Sequence, residues 1–214
     1  MKEKILAHMG SLLSGVVHNL NTPLMWVMGR AQLVQSRIER LASQDSHSKE
    51  EIASVCEKSL KDLGSIIEGA EKIDAILKGL GYKIHMVNEG FTAVELREYL
   101  EMEMNFLMAD MRFKHDTTKI IELGGSAHYT KVDYNALSSA VTGVIHTMID
   151  RTNKGRTIRV ALNGSVIHLA CPELKPDDET RRAIDEATSP LAPMADIFVD
   201  DSDGLAVAIT VRDR

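Results

Sequence analysis

An apolar repeat through residues 9–41 limits the N-terminal part of this chain to one kind of structure. Apolar side chains recur at steps of three and four residues, which is the spacing of one face of an α-helix. The repeat comprises Met9, Leu13, Val16, Leu20, Leu24, Val27, Ala31, Val34, Ile38 and Leu41. It predicts one amphipathic helix from residue 2 to about residue 43.

A second repeat follows a polar break at 42–48. Ser48 and Glu51 form a capping-box pattern, which indicates the start of a new helix. Its apolar residues are Ile52, Cys56, Leu60, Leu63, Ile67, Ala70, Ile73, Leu77 and Leu80. This helix is expected to end near Gly79-Leu-Gly81. A lone helical hairpin leaves apolar surface in water, and two copies bury it by closing into a four-helix bundle. The sequence therefore predicts a homodimer; the alternative is that the hairpin packs on the rest of the same chain.

His18 lies on the first helix, two residues from Val16 and two from Leu20. At about 100° per residue, this spacing places the imidazole roughly opposite the apolar stripe. Pro23 follows five residues later, and a proline inside a helix removes one backbone donor and predicts a local kink or loosening. The helix is thus expected to bury one face and to present His18 on the other.

The segment His18-Asn-Leu-Asn-Thr22-Pro23-Leu24 resembles the H-box of the sensor histidine kinases, usually written His-Glu-x-x-Asn/Thr-Pro-Leu. The small and apolar residues before it and Met28-Gly-Arg-Ala-Gln-Leu33 after it also resemble that family. The resemblance implies that His18 is the phosphorylation site, on the first helix of a dimeric four-helix bundle. Thr22 matches the position that aligns water for phosphatase activity in the family. The other role open to Thr22 is a hydrogen bond from its hydroxyl to the helix backbone beside Pro23.

The second half of the chain reads as an α/β domain. A connector is expected at Tyr82–Gly90, followed by a helical period from Phe91. Further expected elements are a strand at 119–123, a short strand at 129–132, a helix capped by Asp133, a hairpin around Asn163-Gly164, a short helix at 177–187 and a hairpin at 196–211. This order predicts an α/β sandwich with a mixed or antiparallel sheet. The domains are placed at residues 1–84 and 88–214.

The order of elements in this second domain resembles that of the ATP-binding domain of the same kinases. The nucleotide-binding residues of that family are missing. The family's Mg²⁺-holding asparagine aligns near Gly143 and Thr147, and His146 is a poor substitute at a hard-oxygen site. The Asp-x-Gly-x-Gly motif is absent after the strand at 166–170. Pro190-Leu-Ala-Pro-Met194 stands where a glycine-rich phosphate cradle is expected, and proline lacks the backbone N–H such a cradle needs. The resemblance therefore implies a degenerate ATPase domain.

The H-box also departs from the family at Asn19, where glutamate is usual. An amide cannot take a proton, so autokinase activity loses an acid–base catalyst. The chain is similar in this respect to the bundle-type histidine phosphotransferases of bacterial phosphorelays. The resemblance implies that His18 exchanges phosphate with aspartates of response-regulator receiver domains, which bring their own Mg²⁺. The protein itself is expected to need no cofactor or metal.

Three further residues are candidates for the surface that meets the receiver: Met25, Trp26 and Arg30. Asn19 would orient the imidazole or the phosphoryl oxygens. Leu20 and Trp26 fit a helix core equally well, and Arg37 joins Arg30 as a possible contact to an acidic receiver, although solvated helix charges are the default. Two other classes stay open: a sensor kinase core with an unusual ATP pocket, and a non-catalytic dimeric adaptor that binds a response regulator.

Composition excludes some functions. The formal net charge of −6 argues against a general nucleic-acid binder. The two cysteines, Cys56 and Cys171, form no CxxC pair and suit a reducing compartment. No apolar run reaches membrane-spanning length, and the N-terminus lacks a signal-peptide core. These features predict a cytoplasmic protein with no membrane segment in this chain.

Overall fold

The computed structural model describes residues 2–43, 46–151, 153 and 155–212. These residues belong to two compact units. One unit is Val16–Lys78, and the other combines Met1–Gly15 with Gly79–Arg214. The fold predicted from the sequence, a helical hairpin followed by an α/β sandwich, is confirmed. The predicted domain boundary at 84–88 stays a prediction.

Two long helices make the hairpin: α1 spans Lys2–Ala42 and α2 spans Lys49–Glu89. The predicted capping box starts α2, since the Ser48 backbone N–H donates to Glu51 Oε2 (3.1 Å) and the Glu51 backbone N–H donates to Ser48 Oγ (3.1 Å). Of the predicted break between the helices, residues 44 and 45 lie outside the described residues, as does the side chain of Met9.

The connector predicted at Tyr82–Gly90 is wrong, because α2 continues to Glu89. Met86 and Val87 are buried in the core of the α/β unit, and the Asn135 side-chain amide donates to the carbonyl of Val87 (3.3 Å). These contacts hold the segment helical beyond its glycines. Gly90, with a φ of 69°, ends the helix in the left-handed conformation that glycine adopts without strain.

The helix predicted from Phe91 begins later, at Leu96. Its first five residues instead form strand β1, Phe91–Glu95, which pairs antiparallel with β3. The Glu95 side chain then caps helix α3, Leu96–Leu107, by accepting from the backbone N–H groups of Arg97 and Glu98. Strand pairing thus overrides the helical period at the start of this segment.

The remaining elements match the predicted order, with one short helix added. They are α4 (Met111–Asp116), β2 (Thr117–Leu123), β3 (Tyr129–Asp133), α5 (Tyr134–Asp150), β4 (Arg156–Asn163), β5 (Val166–Cys171), α6 (Asp178–Thr188), β6 (Ala195–Asp200) and β7 (Leu205–Val211). Asp133 caps α5, as its position before that helix predicts. Asp177, predicted as the first residue of the short helix, is instead the N-cap of α6.

A five-stranded mixed sheet organises this unit, in the order β2-β4-β5-β7-β6. β2 and β4 are parallel, and the other neighbours are antiparallel. One face of the sheet shares a single core with α3 and α5, and α5 is buried along most of its length. The mixed sheet expected from the sequence is confirmed.

A buried ion pair joins the end of α2 to this core. Lys83 and Glu103 are each 1% exposed, and the Lys83 ammonium contacts the Glu103 carboxylate directly. Lys83 also donates to the hydroxyl of Ser138 (3.1 Å), and the Tyr134 hydroxyl donates to Glu103 (3.4 Å). Because a buried charge is stable only when it is paired and hydrogen-bonded, these four residues form one interdependent network.

Candidate functional site

His18 lies on an exposed face of α1. Its side chain is exposed, as are those of Thr22, one turn later, and Met25, two turns later. Met25 is 72% exposed. The structure therefore places the predicted phosphoacceptor and two of its candidate neighbours along one accessible strip.

Thr22 is tied to the backbone at His18. Its hydroxyl donates a hydrogen bond to the carbonyl oxygen of His18 (3.2 Å). Pro23 is buried inside the helix and lacks the N–H that would otherwise bond to the carbonyl of Asn19. The hydrogen bond to the helix backbone, one of the two roles open to Thr22, is thus present.

Asn19 and Trp26 flank the strip. Asn19 follows His18 in sequence and is half-buried. Trp26 is 58% exposed rather than part of a core, and the ammonium of Lys72 on α2 lies 5.5 Å from the centroid of its ring. Leu20, the other residue that fits a core equally well, is half-buried. Trp26 thus offers an aromatic surface beside a cation.

Arg30 and Arg37 face α2. Both guanidinium groups bind the carboxylate of Asp62, Arg30 at 2.6 Å and Arg37 in a direct contact. Asp62 is only 2% exposed, and hydrogen bonds from Arg37 and Arg30 hold the pKa of its carboxyl below its ordinary range. This ion-paired triad clamps the two helices together, so both arginines have a structural partner within the hairpin.

The face of α2 that packs on α1 is not the predicted repeat. Its inward residues include Val55, Asp62 and Gly69, where a side chain at position 69 would lie 2.7 Å from Val27. The predicted apolar repeat of α2 lies beside this face, and most of its side chains are exposed to solvent.

The apolar repeats of both helices expose large side chains. These are Leu13, Leu24, Ile38, Ile52, Leu60, Leu63, Ile67 and Leu77, which are 44–68% exposed. A hairpin with this much open apolar surface is typical of a subunit of a larger bundle.

The positions aligned with the family's Mg²⁺-holding asparagine have other roles here. A side chain at Gly143 would lie 2.6 Å from the Cβ of Ala187, because α6 packs closely against α5 at this glycine. The Thr147 hydroxyl donates to the carbonyl of Gly143 (2.8 Å). Gly143 has no side chain to reach a metal ion, and the Thr147 hydroxyl is committed as a donor to its own helix.

His146, the histidine between them, lies beside Asp110. Its Nε2 is 3.5 Å from Asp110 Oδ2, and burial lowers the pKa of the imidazole. Among the described residues, no group of three or more His, Cys, Asp and Glu side chains is arranged to hold a metal ion. The acidic turn after β6 is held within the protein: Asp200 accepts from the Ser202 backbone N–H (2.9 Å), and Asp201 pairs with Arg181.

In the part of the chain that the structure describes, no helix combines the length and the apolar character needed to cross a membrane.

Comparison with known proteins gives similarity of structure only. No protein-family model matches the chain, and no curated protein matches it. The cytoplasmic segment of histidine kinase QseC is 11% identical, with a TM-score of 0.44, over 58% of this chain and 79% of that one. The Acinetobacter baumannii histidine kinase AdeS is 11% identical, with a TM-score of 0.42, over 92% of this chain and 98% of that one. The catalytic domain of histidine kinase ThkA is 12% identical, with a TM-score of 0.45, over 57% of this chain and 95% of that one.

Proposed function

We propose that this protein is a histidine phosphotransfer protein of a two-component phosphorelay. In this proposal His18 exchanges phosphate with aspartates of response-regulator receiver domains. The observation that carries it is the exposed imidazole of His18 within an H-box-like sequence, on a strip that also exposes Thr22 and Met25. A side chain that must meet the active site of another protein has to be accessible in this way.

The transfer step needs little from this chain. An unprotonated ring nitrogen of His18 attacks the phosphorus of an aspartyl phosphate in the receiver. The N–P bond forms as the P–O bond to the aspartate breaks, and the aspartate leaves as a carboxylate with the bonding electron pair. The receiver's Mg²⁺ neutralises the developing charge, so the phosphotransfer protein has to supply an imidazole held in line with the breaking bond. In this proposal Asn19 orients the imidazole or the phosphoryl oxygens.

ATP is not the proposed phosphate donor. The close packing of α6 on Gly143 leaves no room for an asparagine side chain at that position, and Thr147 is hydrogen-bonded to the helix backbone. Pro190 and Pro193 cannot donate backbone hydrogen bonds to phosphate. These features support loading from a phosphorylated receiver instead of from a nucleotide.

The proposed receiver-facing surface consists of Met25, Trp26 and the exposed part of Arg30. Met25 and Trp26 supply apolar contact area, which suits the core of a protein interface. The Arg30 side chain is 48% exposed while its guanidinium binds Asp62. Its charge is therefore partly neutralised, and its proposed role is to fix the helix beside the interface more than to attract the receiver.

A homodimer is part of the proposal. The exposed apolar side chains of the hairpin, such as Leu60, Ile67 and Leu77, would be buried by the hairpin of a second copy. That burial is the main driving force of bundle formation.

Two parallel labelling reactions test the proposal. One offers labelled ATP with Mg²⁺, and the other offers a panel of receiver domains phosphorylated with labelled acetyl phosphate. Label gained from a receiver and absent with ATP supports a phosphotransfer protein. Label gained from ATP identifies a kinase and overturns the proposal. Receiver binding without any label identifies an adaptor and overturns it equally.

A further inference from the structure

The turn between α3 and α4, residues 108–110, packs against the first helix. Backbone hydrogen bonds from the Ala109 and Asp110 N–H groups to carbonyls at the end of α3 fix this turn (3.0 and 2.9 Å). A Cβ added at Gly15 of α1 would overlap the carbonyl oxygen of Ala109. Glycine at position 15 therefore allows the backbone of the turn to touch α1. Gly15 and Ala109 belong to the same compact unit.

The residue after Ala109 faces a histidine of α5. Asp110 accepts through its Oδ1 from the backbone N–H groups of Arg112 (2.8 Å) and Phe113 (3.3 Å), and this caps α4. Its other oxygen, Oδ2, lies 3.5 Å from Nε2 of His146. The side chains of Asp110 and His146 are 10% and 25% exposed. The imidazole is thus coupled through Asp110 to the backbone of the turn.

The surroundings of His146 favour its neutral form. Burial is the largest influence and lowers the pKa of the imidazole below its ordinary value. The carboxylates of Asp110, Asp150 and Glu103 raise this pKa, and the guanidinium of Arg112 lowers it, each less strongly than burial. Because burial penalises the charged form, the packed turn holds the imidazole neutral.

Two further segments pack on the elements that hold this cluster. α6 packs on α5, and the Glu179 carboxylate of α6 is paired with Arg151 (2.7 Å). Residues 11–15 of α1, which end at the contact with the turn, carry no charge. Neither segment contains a histidine, so neither adds a group that changes charge near neutral pH.

We propose that protonation of His146 releases the turn between α3 and α4 from α1. The charged imidazole needs water or a closer carboxylate, and Asp110 is the carboxylate beside it. Movement of Asp110 to meet either need displaces Ala109, the preceding residue, whose carbonyl is in tight contact with Gly15. The neutral imidazole leaves that contact in place. The first helix therefore carries a proton-sensitive contact.

The release has a consequence for the proposed phosphoacceptor. His18 follows Gly15 by three residues, which is about one turn of α1. When the turn leaves Gly15, this part of α1 loses a packing contact, so the segment before His18 opens more easily. Only this consequence rests on the proposed function of His18; the release of the turn does not.

Acid is the direction that favours release. Because the pKa of His146 in the packed state lies below its ordinary value, packing is fully stable above about pH 6.5 and loses stability as the pH falls below that value. The loss is complete once the pH is below the pKa of the packed state. The equilibrium constant for opening is expected to rise by up to about tenfold per pH unit over this range.

Hydrogen–deuterium exchange of the full chain measures this opening. Mass spectrometry follows the peptide that covers residues 106–113 between about pH 8 and about pH 5, with each rate corrected for the intrinsic pH dependence of exchange. Strand β5 lies in the core of the same unit and is the internal reference. We expect the turn to exchange faster in acid while β5 stays protected.

Three variants assign the effect. His146→Gln keeps a polar side chain that cannot be protonated, and exchange at its turn is expected to be independent of pH. His115→Gln changes an exposed histidine on α4 and should behave like the unmodified chain. Gly15→Ala places a methyl group against the carbonyl of Ala109, and it is expected to raise the opening constant of the turn at neutral pH at least about tenfold.

The proposal is overturned if His146→Gln keeps the acid-dependent exchange of the unmodified chain, or if the turn of Gly15→Ala is as well protected as with glycine. An effect of His115→Gln equal to that of His146→Gln also overturns it. So does exchange at β5 that rises together with the turn, because that result shows global unfolding. No phosphate is used, so failure of this experiment is separate from failure of the proposed function of His18.

Discussion

The hydroxyl of Thr22 donates a hydrogen bond to the carbonyl oxygen of His18, one helical turn before it (3.2 Å). This bond satisfies a backbone acceptor at the turn where Pro23 interrupts the helical hydrogen-bond pattern. The bond links Thr22, the residue just before Pro23, to His18, the residue that we propose carries the phosphate.

Removing the Thr22 hydroxyl tests whether this backbone bond is its main role. Thr22→Val keeps the β-branch and removes the donor. We expect the lifetime of phosphohistidine in the isolated protein to change by less than about twofold, or about 0.4 kcal/mol in activation free energy. The measurement is the loss of label from purified phosphoprotein over time. A lifetime at least tenfold longer would show instead that Thr22 positions the hydrolytic water.

The Asp62 triad predicts an acid-dependent loss of hairpin stability. The arginines lower the folded-state pKa of Asp62 below its unfolded value. The stabilisation is therefore fully present above about pH 4, where the unfolded carboxyl is also ionised, and is lost as the pH falls through the folded pKa. Asp62→Asn should lower the thermal midpoint clearly at pH 7, and the difference from the unmodified chain should shrink towards pH 3.

The control for this prediction is Asp74→Asn, an exposed α2 carboxylate that pairs with Lys78 in the same helix. Such exposed pairs contribute little, so its midpoint should stay close to that of the unmodified chain at every pH. An Asp62→Asn deficit that is equal at pH 7 and pH 3 would contradict the role of the charge.

Restoring the missing asparagine should not restore nucleotide binding. In Gly143→Asn the new Cβ would lie 2.6 Å from the Cβ of Ala187. We expect this overpacking to lower the unfolding free energy by about 1–3 kcal/mol. Gly81→Ala is the matched control, since nothing lies within 4 Å of that helical glycine, and it should stabilise by up to about 1 kcal/mol. Urea unfolding measures both. ATP binding by the folded Gly143→Asn protein in calorimetry would contradict the proposed loss of nucleotide function.

The Lys83–Glu103 pair predicts a strongly non-additive response. Lys83→Met leaves Glu103 buried without its counter-charge and should cost about 3–5 kcal/mol of unfolding free energy. Adding Glu103→Leu removes the orphaned charge and should recover most of that loss. Chemical unfolding of the two single variants and the double variant measures the coupling. Additive losses would show that the two side chains do not depend on each other.

The elements that the sequence predicts well are those with a local physical cause. The Ser48 and Glu51 capping box, the cap of Asp133 and the turn at Gly164 are all present. Each depends on a few adjacent residues. The failures depend on distant contacts: β1 exists because it pairs with β3, and residues 82–89 stay helical because Met86 and Val87 enter the α/β core.

The candidate site shows the same division. The helical period places His18 on an open face without reference to any other element. The partner of Arg30 and Arg37 was not predicted, because Asp62 sits on another helix. A signal for it exists in retrospect: Asp62 falls seven residues after Val55 and four before Ile66, on the inward face of α2, where a carboxylate needs a buried cation.

The most direct measurement is the site and chemical nature of the phosphate after one turnover with a phosphorylated receiver. We expect acid-labile, base-stable label on this chain that peptide mapping assigns to His18. His18→Ala should abolish it, and His85→Ala, which removes another exposed helical histidine, should leave it unchanged. Label that persists in His18→Ala, or that maps to any other residue, would contradict the central claim that His18 carries the phosphate.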